Sequence, residues 1–243
     1  MSGLAYTRFE LVRTFRNRRF YIFSIGIPIL LYWVIAAPQH NKIITGTAFT
    51  YGIYYMVSLA SFGTMMSMLS TGARIAGERQ VGWTRQLRIS PLSVRAYFRA
   101  KILTAYAMAL LSLCLLYISG AILGASLPAE RWLEMTGLIV IALVPLAALG
   151  ILVGHLITTD SAGPAMGGLV TFLALLGGTY FPITGGVLHT IGQLLPSWWL
   201  VQAGHIALHG RGWPVRGWIT VLAWTAILAT GAGWAYRRDT TKV

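Results

Sequence analysis

The sequence predicts an all-α polytopic membrane protein: six transmembrane helices, an N-terminal interfacial helix, and an outer-leaflet re-entrant helical hairpin before the last span. Three observations carry that expectation. Hydrophobic residues make up 56% of the 243 and charged residues 10%, with a mean hydropathy of +0.67; a water-soluble domain carries about 25% charge to cover its surface. Apolar runs of spanning length recur along the chain, so residues 1–243 read as a single transmembrane domain. Twelve of the 19 basic residues fall in two blocks, 8–19 and 74–101, each beside an apolar run. Membrane proteins mark their cytoplasmic loops in this way, so the +13 net charge does not point to nucleic acid.

Residues 4–19 (LAYTRFELVRTFRNRR) open the chain. Leu4, Leu11, Val12 and Phe15 share one side while Glu10 and Arg13 face away, which reads as an interfacial helix from which Arg8 snorkels. The first span is 20–37, 18 residues or roughly 27 Å as a helix, with Pro28 as its kink point. Its length and the absence of a clear cleavage site read as a retained span, not a signal peptide. The second span is 47–71; its Met65, Met66 and Met68 read as packing residues before a soft ligand-binding face. Spans three to six follow at 102–123, 133–157, 164–180 and 218–236. The intervening 182–217 is too apolar for a solvated loop. Its run 187–208, broken by Pro196 and Gln202, reads as two short helices dipping into the outer leaflet, with a seventh span as the alternative.

Charge then sets orientation. With six spans both termini share a side, which collects 15 basic residues; Lys42, Arg131, Arg211 and Arg216 fall on the other. The positive-inside rule places both termini in the cytoplasm of a multi-pass cell-membrane protein. A seventh span would move Arg237 and Arg238 outside. Trp33, Trp132, Trp198, Trp199, Trp213 and Trp218 lie near predicted outer ends and Trp234 with Tyr236 near an inner one, the pattern of an aromatic belt.

The chemistry-bearing residues are few. No GxxxxGK[ST] sequence occurs, so the chain has no P-loop of its own. Span interiors lack ionisable groups, and Glu134 and Asp160 sit at span edges, which weakens the case for proton or ion coupling. His205 and His209 share an i,i+4 spacing with His189 nearby, but no HExxH accompanies them; they read as interfacial polar residues along a pathway, and His155 as a hydrogen-bonded packing residue. The lone Cys114 reads as a packing residue. The pairs Gly120/Gly124, Gly150/Gly154 and Gly163/Gly167 allow close helix approach. No catalytic residue, metal or cofactor is expected in this chain.

The charged segment 72–101 has internal order. Gly77 and Gly82 flank a short helical candidate carrying Glu78, Arg79 and Arg85; Ser90 and Pro91 then read as cap and first residue of a basic helix that carries Arg95, Arg99 and Lys101 into the third span. A loop that only fixed topology would need neither Glu78 nor a proline-capped break, nor the apolar Trp83, Leu87 and Ile89, which want a partner surface.

This segment resembles the first cytoplasmic loop of the ABC-2 type permeases, membrane subunits of ATP-driven exporters of drugs, antibiotics and cell-surface polymers. The family's Glu, Gly-Thr, Leu, Pro-Leu-Ser and Lys correspond here to Glu78, Gly82, Leu87, Pro91-Leu92-Ser93 and Lys101, with Trp83 where threonine is usual and Thr84 beside it. A second match is the run Gly177, Gly178, Phe181, Pro182, followed by Leu195-Pro196-Ser197-Trp198-Trp199. The resemblance implies a permease homo- or heterodimer joined to two separate ATPase subunits that hold ATP and Mg. It implies an ATPase-coupling loop of Glu78, Gly82, Trp83, Arg85, Leu87, Arg88, Pro91, Leu92 and Ser93, and an outer hairpin bearing Gly177, Gly178, Phe181, Pro182 and Pro196. Export of an amphiphilic drug, antibiotic or lipid-like compound is the expected function, with polymer export or secondary transport as alternatives. A lipid-acting membrane enzyme and a non-transporting membrane subunit are the rival classes.

Overall fold

The computed structural model describes residues 3–17, 21–44, 50–83, 86, 92–183, 185–209 and 212–241, and they are almost wholly helical. Helix α1 is Gly3–Phe15. Helix α2 is composite: a π turn Ile22–Gly26, an α segment Ile27–Leu31, a second π turn Tyr32–Ala36 and a closing 3-10 turn Ala37–Gln39. Then come α3 (Tyr51–Gln80), α4 (Val94–Ile122), α5 (Ala129–Leu156), α6 (Thr159–Gly177), α7 (Gly186–Gly192), α8 (Pro196–His209) and α9 (Val215–Thr241).

Among the described residues four helices, not six, are long and apolar enough to cross a membrane: Tyr51–Gln80, Val94–Ile122, Ala129–Leu156 and Val215–Asp239. Where the sequence predicts a first span, α2 is an interrupted run of π, α and 3-10 turns in place of one continuous α-helix. Pro28 has no N–H to donate to the Ser24 carbonyl one turn back, and the Ser112 hydroxyl of α4 donates to that carbonyl instead, at 3.3 Å. The helix widens into π turns on both sides of this point. Where a fifth span is predicted, the 19 residues of α6 open on Thr159, Asp160, Ser161, Gly163 and Pro164, which leaves too short an apolar length.

Among the described residues no re-entrant hairpin is evident either. The seven-residue α7 rests on α6, while α8 packs on α5, α6 and α3. Its Trp198, Trp199, Leu200, Val201 and Ala203 are all buried, so its apolar residues serve the core. With 14 residues, α8 is also too short to be a seventh span. The aromatic belt is correspondingly smaller than expected. Trp198, Trp199 and Trp213 are core residues, whereas Trp33, Trp218 and Trp234 face outward.

Helix α3 is the hub, touching α2, α4, α5, α6 and α8, with 83% of its apolar stretch buried. Met65 and Met68 sit in the core, as packing residues do. A buried helix must satisfy its own polar groups. Ser61, Thr64, Ser67 and Ser70 donate to carbonyls three or four residues back, and Ser61 also reaches the Leu200 carbonyl of α8 at 3.3 Å. By contrast only 22% of the apolar stretch of α9 is buried; it leans on α5 and, more lightly, on α8.

Helices α3 and α5 run parallel and meet at glycine. A Cβ built at Gly150 would lie 2.7 Å from the Met68 carbonyl oxygen, and one at Gly154 2.6 Å from that of Gly72. Gly163 and Gly167 face open space, so of these two expected i,i+4 pairs one makes a close helix contact and the other does not. Gly154→Leu should therefore overpack the α3–α5 seam and lower stability by about 1–3 kcal/mol, while Gly167→Leu leaves it unchanged. Thermal unfolding of the two variants in detergent checks this; equal midpoints would refute the seam.

Candidate functional site

Helices α3 and α4 are antiparallel neighbours, which brings the last turns of α3 beside the first turns of α4, and α1 packs across α4 there. At that junction the Lys101 ammonium of α4 donates to Glu10 Oε1 of α1 at 2.6 Å and to Glu78 Oε1 of α3 at 2.5 Å. Lys101 is 0% exposed, Glu10 1% and Glu78 2%. Around this core Arg13 Nη1 donates to Glu78 Oε1 at 2.9 Å and the Tyr97 hydroxyl to Glu78 Oε2 at 3.0 Å. Arg74 lies 3.8 Å from Glu10 and hydrogen-bonds Thr14 and Thr71. The Lys101 charge also sits 5.4 Å from the centre of the Tyr97 ring. Tyr6 completes the group beside Tyr97. Burial pushes its phenol pKa up and the Glu10 and Glu78 charges push the same way, so its hydroxyl keeps its proton.

This geometry sets the facing of α1. Tyr6, Glu10 and Thr14 form one i,i+4 stripe and are buried, while Leu4, Phe9, Val12 and Phe15 are exposed. A buried ammonium must be matched by carboxylates, and Glu10 is one of only six acidic residues in the chain. The polar stripe therefore turns inward and the apolar stripe outward.

A second cluster lies on α3 beside the first. Arg79 makes a bidentate pair with Asp239 of α9, Nε to Oδ2 at 2.5 Å and Nη2 to Oδ1 at 2.6 Å. Its Nη1 donates to the carbonyls of Gly154 and Ile157, both at 3.2 Å, at the C-terminal end of α5. Those carbonyls have no partner within their own helix, and a cation is the favourable group there. His155 Nδ1 lies 3.2 Å from Asp239 Oδ2, its ring beside those of Phe98 and Tyr236, so His155 is the hydrogen-bonded packing residue that its sequence position suggests.

Several expectations for the charged segment need correction. Gly77, Glu78 and Arg79 belong to α3, which runs on to Gln80, and not to a separate short helix. Gly82 follows in the left-handed region at φ +71°, where L side chains are strained, and its N–H reaches the Arg79 carbonyl at 3.1 Å. Ser93, not Ser90, caps α4, its hydroxyl accepting from the Ala96 N–H at 3.2 Å. Trp83 and Leu92 pack, half-buried, against Tyr6, Tyr97 and Ala100, so these two find their apolar partner within the chain. Arg85, Leu87, Arg88 and Pro91, with Thr84, Ile89 and Ser90, lie outside the described residues.

The second motif is brought together differently from the expected hairpin. Gly177 ends α6 so close to α8 that a Cβ there would lie 3.0 Å from the Ser197 carbonyl oxygen. Gly178 takes the left-handed cap at φ +77°, and its carbonyl accepts from the Tyr54 hydroxyl at 3.1 Å. Pro196 opens α8, and Phe181 and Pro182 lie on the exposed connection. His205 is buried, 3.1 Å from the Ser58 hydroxyl and stacked on Tyr54. His209 keeps its place in α8, but its side chain lies outside the description. Cys114 faces outward, contrary to its expected packing role. Among the described residues no group of three or more His, Cys, Asp or Glu could hold a metal ion.

Residues 41–235 match the family model of the ABC-2 family transporter proteins, a stretch that runs from before α3 into α9 and includes Glu78, Arg79 and Lys101. The chain belongs to the ABC-2 family. It is also 30% identical over 207 residues to "Putative transport permease YvfS" of Bacillus subtilis (strain 168), covering 80% of this chain and 83% of that protein. ABC-2 permeases are non-catalytic transmembrane subunits, and in this family member the two charge clusters join helices, α1, α3 and α4 in one and α3, α5 and α9 in the other. The sequence singles out Glu78 and Lys101 as motif residues and places Glu10 and Arg79 on helices without giving them partners, while Asp239 draws no notice. The available signal was scarcity. In a chain with six acidic residues against 19 basic ones, an acid beside an apolar helix is expected to have a partner.

Removing one member of the first cluster strands a buried charge, which costs about 3–5 kcal/mol. Lys101→Met should lose stability on that scale. Adding Glu10→Leu should recover much of the loss, because Glu78 keeps Arg13 and Tyr97, whereas Glu10 without Lys101 retains only the longer 3.8 and 4.0 Å approaches of Arg74 and Arg13. Unfolding titrations in bicelles measure Lys101→Met and the double variant; a double variant no more stable than Lys101→Met would contradict this account.

Proposed function

We propose that this chain is the permease subunit of an ATP-driven exporter that moves an amphiphilic drug, antibiotic or lipid-like compound out of the cell. Family membership supports the transporter class, and the absence of a P-loop from the sequence fits a separate ATPase that holds ATP and Mg. The observation that carries the reading is the burial of Glu78 at the root of the 81–93 loop. The motif's acidic residue does not reach out to a partner. It fixes the loop's first helix to α1 and α4 through Lys101 and Arg13. A load on the loop is then delivered to three helices together, as coupling to a moving ATPase requires.

In this reading Gly82, Trp83, Arg85, Leu87, Arg88, Pro91, Leu92 and Ser93 form the segment that meets the ATPase, and a second permease copy or relative completes the transporter. The end bearing Arg74, Arg79, Arg95, Arg99, Lys101, Arg237 and Arg238 faces the cytoplasm by the positive-inside rule. The outward Leu4, Phe9, Val12 and Phe15 of α1 then lie on the cytoplasmic leaflet. An amphiphilic cargo suits spans whose polar groups are largely satisfied internally.

Charge reversal at Arg85 and Arg88 together should weaken co-purification of the partner ATPase about tenfold, equivalent to ~1.4 kcal/mol, with membrane insertion unchanged. Undiminished co-purification and undiminished ATP hydrolysis by the complex would remove the loop from the interface.

A further inference from the structure

Glu78 and Arg79 are consecutive residues in the last turns of α3, and they hold different partners. Glu78 holds α1 and α4 through Lys101, Arg13 and Tyr97. Arg79 holds α5 and α9 through two carbonyls and the Asp239 carboxylate. Neighbouring side chains on a helix are about 100° apart, so one rigid turn addresses both groups of helices. The loop begins immediately beyond it. We propose that Arg79 is a positioning residue that carries movement of the 81–93 loop to α5 and α9, with Asp239 as its receiving group. The proposal rests on the reading of that loop as the ATPase contact.

Three features favour transmission over simple bracing. Helix α9 leans on α5 and α8 and meets α3 more lightly, in a small apolar cluster of Ile75, Ile151 and Ala232, so the Arg79–Asp239 pair is a direct polar tie between the hub helix and α9. The tie is stiff: two parallel N–H···O bonds to the carboxylate fix angle as well as distance, and the remaining guanidinium nitrogen is fixed by the Gly154 and Ile157 carbonyls. A lysine has neither the fork nor enough directed donors to hold both sets. Third, both side chains of the pair are about a quarter exposed, at 25% and 23%. The pair is therefore far less desolvated than the Lys101 cluster, and its loss leaves the main core of the fold in place.

The test uses the permease–ATPase complex in nanodiscs, with Cys114→Ser to clear the native thiol and spin labels at Val12→Cys on α1 or Gly233→Cys on α9; both sites are exposed. Lineshapes and inter-label distances are recorded with ADP and with ATP plus vanadate. With Arg79 intact, both labels respond to ATP–vanadate. In Arg79→Lys, and independently in Asp239→Asn, the α9 response is lost while the α1 response and ATP hydrolysis persist. An α9 response that survives in either variant overturns the proposal. So does loss of both responses together, which would make Arg79 a general structural brace. Absence of any response at either label in the parent complex, or failure of the ATPase to co-purify, counts instead against the coupling-loop reading itself.

Discussion

An ammonium group with no exposed surface sets the terms for one end of this protein. Lys101 lies at the start of a membrane helix, where an uncompensated charge would be prohibitive. It is acceptable because Glu10 and Glu78 converge on it from two other helices. That requirement decides three things at once. Helix α3 has to continue past its apolar stretch to place Glu78. Helix α4 has to begin early enough, at the Ser93 cap, for Tyr97 and Lys101 to share a face with the cluster. Helix α1 has to present Glu10 inward, which leaves its leucine and phenylalanine side chains to the surroundings. The N-terminal helix is thus held by polar groups and faces out with apolar ones, the opposite of a surface helix in water.

The membrane body obeys a different constraint. With apolar surroundings offering little hydrophobic drive between helices, close approach and satisfied polar groups do the holding. The glycine seam between α3 and α5 and the serine and threonine ladder along α3 are the two expressions of this. They make α3 a helix that can be both buried and polar. Its hydropathy is the lowest of the four spanning helices for that reason.

Much of this architecture was legible in the sequence, and the failures have physical causes. The spans at α3, α4, α5 and α9 are long apolar runs, and the chain announces them. The family motif around Glu78 was visible as an acid, a glycine and a Pro-Leu-Ser run in a basic stretch. The expected first and fifth spans mislead because hydropathy averages do not see what Pro28 does to the hydrogen bonds of α2, or how many residues of α6 the run from Thr159 to Pro164 removes. The expected hairpin misleads because an apolar segment between spans can as well be core: Trp198 and Trp199 are buried against α5 and its neighbours, not in lipid. In α1 the outward apolar residues suit an interfacial helix, but that Tyr6, Glu10 and Thr14 form the inward stripe has no signature in the local pattern. Pairing across 91 residues, as between Glu10 and Lys101, has no local signature at all.

The two charge clusters gain their meaning from being adjacent and unlike. One has a fully buried core of Lys101, Glu10 and Glu78 and joins α1, α3 and α4; the other is partly hydrated and joins α3, α5 and α9. A buried ion pair with several partners resists change because every rearrangement leaves a charge unmatched. A partly hydrated pair can exchange protein contacts for water at lower cost. If the end of α3 is displaced, the first cluster moves as a body and the second is where geometry can yield. The α1–α3–α4 group is then the rigid handle, and the Arg79–Asp239 tie sets how far α9 follows. A transporter that converts loop movement into a change among its spans needs both properties. In this chain they are supplied by two neighbouring residues, Glu78 and Arg79.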